Sequence, residues 1–191
     1  MLFRSVWIGG TSNGNEPGGI TFWNDSLFVW KYYEARYDND IISDNVNSVC
    51  GSQRFIFFGA EHGIARFDKK KNSWSDLNSY AKLSSASVND IEILGDKVFI
   101  ATENGLNWLY LNSNRIEQPQ DNTLDSRNVF QLLPYDDKLL LSTDYGLFEY
   151  DPNADRFSLF QTGAALPDYD FSALGATENE LWLAGSSGIS S

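Results

Sequence analysis

The sequence is short of the side chains from which most catalytic and metal sites are built. It holds one cysteine, Cys50, and one histidine, His62. A single cysteine excludes a disulfide framework within the chain and a cysteine-based zinc site. A single histidine excludes most multi-histidine metal and catalytic constellations. Positive charge is also scarce: 14 Lys and Arg stand against 26 Asp and Glu, a formal net charge of −12. Phosphate recognition needs a basic surface, so neither nucleic acid nor an anionic membrane is an expected partner. No apolar run reaches the length of about 18 residues that a membrane helix needs, so no membrane insertion is expected. The start, MLFRSVWIGG, lacks the layout of a signal peptide. No ten-residue stretch has a clean helical apolar period, which leaves little room for helix. What the chain has in plenty is aromatic: 13 Phe, 9 Tyr and 6 Trp among 191 residues, a composition suited to strands with large buried side chains.

Internal periodicity is the strongest signal. Apolar runs stand at 6–10 (VWIGG), 56–60 (IFFGA), 98–102 (VFIAT), 139–143 (LLLST) and 181–185 (LWLAG), the last four beginning 42, 41 and 42 residues apart. Two residues separate the end of each of these four from a glycine: Gly63, Gly105, Gly146 and Gly188. Gly19 is the first of that series, delayed by the insertion TSNGNEPG. Ten residues before the runs stand Val46, Val88, Val129 and Phe171, and four after the glycines stand Trp23, Phe67, Leu109 and Tyr150. Residues 56–58, 98–100, 139–141 and 181–183 are apolar at every position, which fits strands buried on both faces. Short polar turns such as Gly95-Asp96-Lys97 join them as hairpins. One repeat therefore reads as a four-stranded antiparallel meander, with strands A (88–94), B (97–102), C (105–110) and D (114–118). The repeats fall at approximately 6–54, 55–97, 98–138, 139–180 and 181–191. Units 46–77, 88–118 and 127–161 are complete and the ends are partial, about four blades in all. Small sheets with two apolar faces must stack on each other. The fold class predicted is an all-β propeller, partial or open, in preference to a sandwich, whose strands would not keep this register.

A meander places the A–B and C–D turns on one side and the B–C and D–A connections on the other. The second side carries the long loops 34–45, 78–87, 118–128 and 162–170 together with the 11–18 insertion, and long loops on a rigid scaffold are the usual carriers of function. It also carries twelve acidic residues, from Glu16 to Asp170, against Arg36, Lys82 and Arg127. Two sets of positions converge there if strand A lines the central axis. Asn45, Ser87, Asn128 and Asp170 stand immediately before strand A. The B–C corners are Glu61-His62, Glu103-Asn104, Asp144-Tyr145 and Ser186-Ser187. Amides, acids and an aromatic suit a neutral carbohydrate, which takes hydrogen bonds and a stacking face. The same residue types also cap turns, and loop acids also keep a β protein soluble.

No catalytic constellation, metal site or cofactor motif is legible. His62 occupies a corner where other repeats have Asn, Tyr or Ser. Cys50 lies on a strand A and reads as a buried structural thiol. The segment Asp38-Asn39-Asp40-Ile41-Ile42-Ser43-Asp44 departs from the calcium-loop pattern at its fifth, sixth and twelfth positions. Lys69-Lys70-Lys71 reads as a solvated hairpin tip. Asn24-Asp25-Ser26 fits a glycosylation sequon of low specificity.

The repeat itself, L-W-I-G-T-x-x-G-L-x-x-Y-D-P followed by an aromatic, resembles the two-component regulator propeller repeat. The residues carrying it are Val6 to Gly10, Leu181 to Gly185, and Gly146-Leu147-Phe148-Glu149-Tyr150-Asp151-Pro152. The repeat at 98–116 departs from it, with Trp108 one position early and Leu111 in place of an Asp or Pro turn. The resemblance implies the periplasmic sensor region of a bacterial hybrid two-component regulator, often responsive to carbohydrate. Such repeats also occur in secreted or envelope proteins. The expectation is a ligand-sensing or binding module and not an enzyme. The alternatives are an envelope or secretion-associated interaction scaffold and, less favoured, a carbohydrate-active enzyme using loop carboxylates. Streptogramin lyases have similar-looking repeats, but their catalytic pattern uses more than one histidine. A fragment of a larger propeller would present Val6-Trp7-Ile8 and Leu181-Trp182-Leu183 without neighbours and would self-associate. A closed four-bladed ring would instead use 171–175 to complete the first blade.

Overall fold

A computed structural model describes residues 5–13, 18–25, 27–35, 41–77, 83–161, 171–177 and 179–190. All regular structure among them is strand. Five antiparallel sheets follow one another in chain order. The first holds β1 (Ser5–Gly10), β2 (Gly19–Asn24) and β3 (Val29–Tyr33). The second holds β4 (Val46–Gly51), β5 (Phe55–Ala60), β6 (Gly63–Asp68) and β7 (Ser73–Asp76), and the third β8 (Val88–Leu94), β9 (Lys97–Thr102) and β10 (Gly105–Tyr110). The fourth holds β11 (Val129–Tyr135), β12 (Lys138–Thr143), β13 (Gly146–Asp151) and β14 (Arg156–Leu159). The fifth holds β15 (Phe171–Ala176), β16 (Leu181–Gly185) and β17 (Gly188–Ser190). Within each sheet the order in space is the order in sequence, the meander that tight polar turns enforce.

The sheets stack face to face, the leading strands β1, β4, β8, β11 and β15 each packing against the next. Successive side chains of one strand go to opposite interfaces, which is why 56–58, 98–100 and 139–141 are apolar at every position. On β5, Ile56 and Phe58 join the core shared with the first sheet, while Phe55 and Phe57 join the core shared with the third. On β9 and β12 the same alternation sends Phe99, Leu139 and Leu141 to the interface of the third and fourth sheets. Leu140 goes to that of the fourth and fifth.

Each of β4, β8, β11 and β15 carries a bulge just inside its start, at Val46/Ser48, Val88/Asp90, Val129/Gln131 and Phe171/Ala173. The residue after three of these bulges ties its sheet to the next. Ser48 Oγ accepts from the Ile91 N–H at 3.1 Å, Asp90 Oδ2 from the Leu132 N–H at 2.9 Å, and Gln131 Oε1 from the Leu174 N–H at 2.6 Å. Asn47 and Asn89 add a second series, donating to Val88 O and Val129 O at 2.9 and 2.8 Å.

Three expectations are modified. Strand D of the third sheet shrinks to one bridge, Trp108 with Glu117. The guanidinium of Arg66 draws Leu111 O, Ser113 O and the Asn114 side chain toward the second sheet, away from any ladder. Residues 171–176 pair with 181–185 and so do not complete the first sheet, and Gly188–Ser190 adds a strand after them. Alternation also splits the end runs. Trp7 turns inward onto Phe22, Phe67 and Phe58 while Val6 and Ile8 are exposed. Leu183 is buried while Trp182 remains 43% exposed.

Candidate functional site

Of the positions expected at the channel mouth, Asp170 lies outside the described residues, as do Glu16, Asp38, Asp40, Asp168, Arg36 and Lys82. The structure brings the two remaining sets together in the second and fourth sheets. The Glu61 N–H donates to Asn45 O and the Asp144 N–H to Asn128 O, each at 3.1 Å. The side chains add to this: Asn45 Nδ2 donates to Glu61 Oε2 at 2.5 Å, and Asn45 Oδ1 accepts from the Ser12 N–H at 2.8 Å. Asn128 Oδ1 accepts from Asn89 Nδ2 at 2.7 Å. Ser87 is half-buried, its N–H donating to Ser85 Oγ at 3.3 Å. Asn45 and Asn128 thus spend part of their capacity on the fold itself.

The B–C corners of the third and fourth sheets are built alike. Thr102 and Thr143 end strand B and donate to Gly105 O and Gly146 O at 2.9 and 2.7 Å. Their hydroxyls accept from the Asn104 and Tyr145 N–H groups. Glu103, Asn104, Asp144 and Tyr145 stand exposed on these corners and Glu61 and His62 on that of the second sheet, together a polar rim. Tyr145 is the aromatic among them, 60% exposed, with the Arg127 guanidinium 4.5 Å from its ring centre. Not every loop acid faces this rim. Asp121 accepts from the Phe157 N–H at 2.7 Å, and the neighbouring Gln120 N–H donates to Asp155. That turns this segment toward the C–D turn of the fourth sheet. Cys50 on β4 is half-buried, and burial, with Glu92 and Asp90 nearby, pushes its thiol pKa up, which disfavours the thiolate. Among the described residues no group of three His, Cys, Asp or Glu side chains is placed to hold a metal ion.

Among the described residues, crevices open on the opposite side, at the A–B and C–D turns, where the sequence pointed to no site. One, of about 430 Å³ between the first and second sheets, is lined by Trp7, Phe22, Leu27, Val29 and Tyr33, with Lys31 and Lys69 at its edge. A second, of about 350 Å³, lies beside Lys97 and Pro152. The third, of about 400 Å³ between the second and third sheets, is cationic: Arg54, Arg66 and Lys71 line it with one carboxylate, Asp68. Arg54 Nε and Nη2 both reach Asp68 Oδ2, at 3.1 and 2.8 Å. That contact holds the Asp68 carboxyl down at about 2, against the opposing pull of its burial. Asp68 Oδ1 accepts from the Lys70 and Lys71 N–H groups. Arg66 sits 8% exposed on β6, and burial lowers its pKa. The only sequence signal for this crevice was a lysine run in a chain poor in positive charge.

No family profile matches the chain, and no curated protein matches it. Solved structures do. Across 97% of its length the chain superposes, with a TM-score of 0.76 and 17% identity, on the extracellular domain of a B. thetaiotaomicron protein described as a one-component or hybrid two-component system, covering 25% of that chain. A second extracellular domain of a B. thetaiotaomicron hybrid two-component system matches over 98% at TM-score 0.53 and 15% identity, covering 32% of it. PorZ, a surface component of the type-IX secretion system of Porphyromonas gingivalis, matches over 97% at TM-score 0.72 and 10% identity, covering 30% of it. The chain spans between a quarter and a third of the length of these structures. At these identities the likeness is one of fold, and that fold is shared with the group whose repeat the sequence resembles.

Proposed function

We infer that the chain is part of a β-propeller serving an extracytoplasmic binding module in bacterial signal transduction, without catalytic activity of its own. The superposition of 97% of the chain on the extracellular domain of a two-component system carries this reading. The neutral-sugar site belongs at the rim formed by Glu61, His62, Glu103, Asn104, Asp144 and Tyr145, with Asn45, Ser87 and Asn128 behind it. There exposed acids and amides offer hydrogen bonds, and the exposed part of the Tyr145 ring, flanked by Arg127 and Phe148, offers apolar surface for a sugar to lie against. Calorimetric titration with neutral oligosaccharides tests the assignment. Tyr145→Ala and Glu103→Gln are expected to weaken binding about tenfold each, the loss of one stacking contact or one hydrogen bond. Unchanged affinity in both variants would remove the ligand from this rim.

A second reading is an interaction scaffold of the envelope. It is favoured by the likeness to PorZ and by the apolar side chains exposed on the outward faces of the first and fifth sheets. In that case the oligosaccharide titrations are silent, and chemical cross-linking on whole cells joins the chain to a protein.

A further inference from the structure

The cationic crevice between the second and third sheets sets three cationic side chains, Arg54, Arg66 and Lys71, against one carboxylate, Asp68. The Arg66 guanidinium is buried, yet the acceptors it reaches are neutral: Leu111 O at 3.4 Å, Ser113 O at 2.9 Å and Asn114 Oδ1 at 2.6 Å. Its Nε is buried without a partner. A second guanidinium, that of Arg54, shares the Phe55 ring with it, the two lying 4.7 and 4.8 Å from the ring centre. The nearby carboxylate is already committed, Asp68 accepting from Arg54 and from two backbone N–H groups. Burying a cation beside another cation is costly unless an anion joins them. If Arg66 served only to tie the third sheet's turn to the second, a neutral donor would do so without that cost. Arginine is instead the side chain whose planar fork matches an oxyanion. Around this charged end, Ser73, Ser75, Asn112 and Asn114 bring hydroxyls and amides to the same crevice of about 400 Å³, a volume in the range of small-molecule sites.

We propose that this crevice binds a small hydroxylated carboxylate, such as a sugar acid, with Arg54, Arg66 and Lys71 on the carboxylate and the serine and asparagine side chains on the hydroxyls. The site lies on the opposite side of the stack from the neutral-sugar rim and does not depend on it. The chain's overall negative charge repels such a ligand at long range, so binding rests on the short contacts within the crevice.

Backbone amide NMR of the full 191-residue chain reads the crevice separately from the rim. Galacturonate is expected to shift the Lys71, Ser73, Asn112 and Asn114 amides in the millimolar range, and galactose to leave them in place. Lys71→Glu at the exposed turn should weaken galacturonate at least about tenfold by reversing one charge at the site. Lys70→Glu, the same charge change one residue away and outside the lining, should retain most of the affinity. Matching thermal melts of the two variants separate lost binding from lost fold. The proposal is overturned if galactose shifts the same amides as strongly, if no anion shifts them, or if Lys71→Glu binds galacturonate like the parent. Inorganic sulfate binding as tightly as galacturonate would also overturn it, because the crevice would then be a bare charge trap.

Discussion

The repeat glycine shows how much one residue is asked to do. Gly19, Gly63, Gly105, Gly146 and Gly188 all have positive φ, between 106° and 126°, a region that side chains other than glycine's rarely enter. At Gly105 there is a second reason: a Cβ would stand 3.0 Å from Leu124 O, in the loop that covers the corner. Gly105→Val is therefore expected to destabilise the fold by about 1–3 kcal/mol, read as a lowered denaturant midpoint at unchanged slope. An unaltered midpoint would show that the corner can relax. This requirement is legible in sequence because the glycine recurs in register. Arg66 is the opposite case. Its partners lie 45 to 48 residues further on, in the one repeat that departs from the pattern, and no local signal connects them.

At the scale of the element, the bulge on three leading strands, β4, β8 and β11, turns a polar side chain toward the next sheet and offers it to a backbone N–H there. Asp90 carries the most in this series. Its Oδ1 accepts from Ser48 Oγ at 2.7 Å and its Oδ2 from the Leu132 N–H at 2.9 Å, so one carboxylate ties the second, third and fourth sheets. Asp90→Ala leaves the Leu132 N–H orphaned in a position that is 1% exposed, a loss of about 1–3 kcal/mol. Hydrogen exchange should speed up first at Leu132 and Ile91. Uniform acceleration across all sheets, or none, would deny Asp90 this local role. The signal was present in sequence as Val46-Asn47-Ser48, Val88-Asn89-Asp90 and Val129-Phe130-Gln131. The polar residues vary in type, so apolar periodicity passes over them.

For the whole molecule, the terminal faces carry the consequence. On the first sheet Val6, Trp23 and Trp30 stand in one cross-strand row, and Val6, Ile8, Trp30 and Tyr32 are exposed. The matching repeat positions of the third sheet, Val98, Ile100 and Leu109, are fully buried against the second. On the fifth sheet Trp182 and Ile189 are exposed, 43% and 74%, where Phe99 and Leu106 of the third are covered by the fourth. Both faces expose apolar side chains at positions that inside the stack are covered by the next sheet. Covering one large side chain is worth about 1.5–3 kcal/mol, so the isolated 191-residue chain is expected to self-associate despite its charge. Sedimentation at two concentrations checks this, together with an unfolding midpoint that rises with concentration. A compact monomer at both concentrations would contradict it.

Strand order, the all-β class and the positions of the corners were determined by the sequence alone. They depend on local chemistry repeated at a fixed interval: apolar runs, turn residues, and a glycine where φ must be positive. Which sheet a side chain faces at the chain's ends, how the bulge residues tie one sheet to the next, and the gathering of Arg54, Arg66 and Lys71 with Asn112 and Asn114 were decided only by the tertiary structure. Those features depend on contacts between residues about one repeat apart, and face-to-face stacking of the sheets creates those contacts.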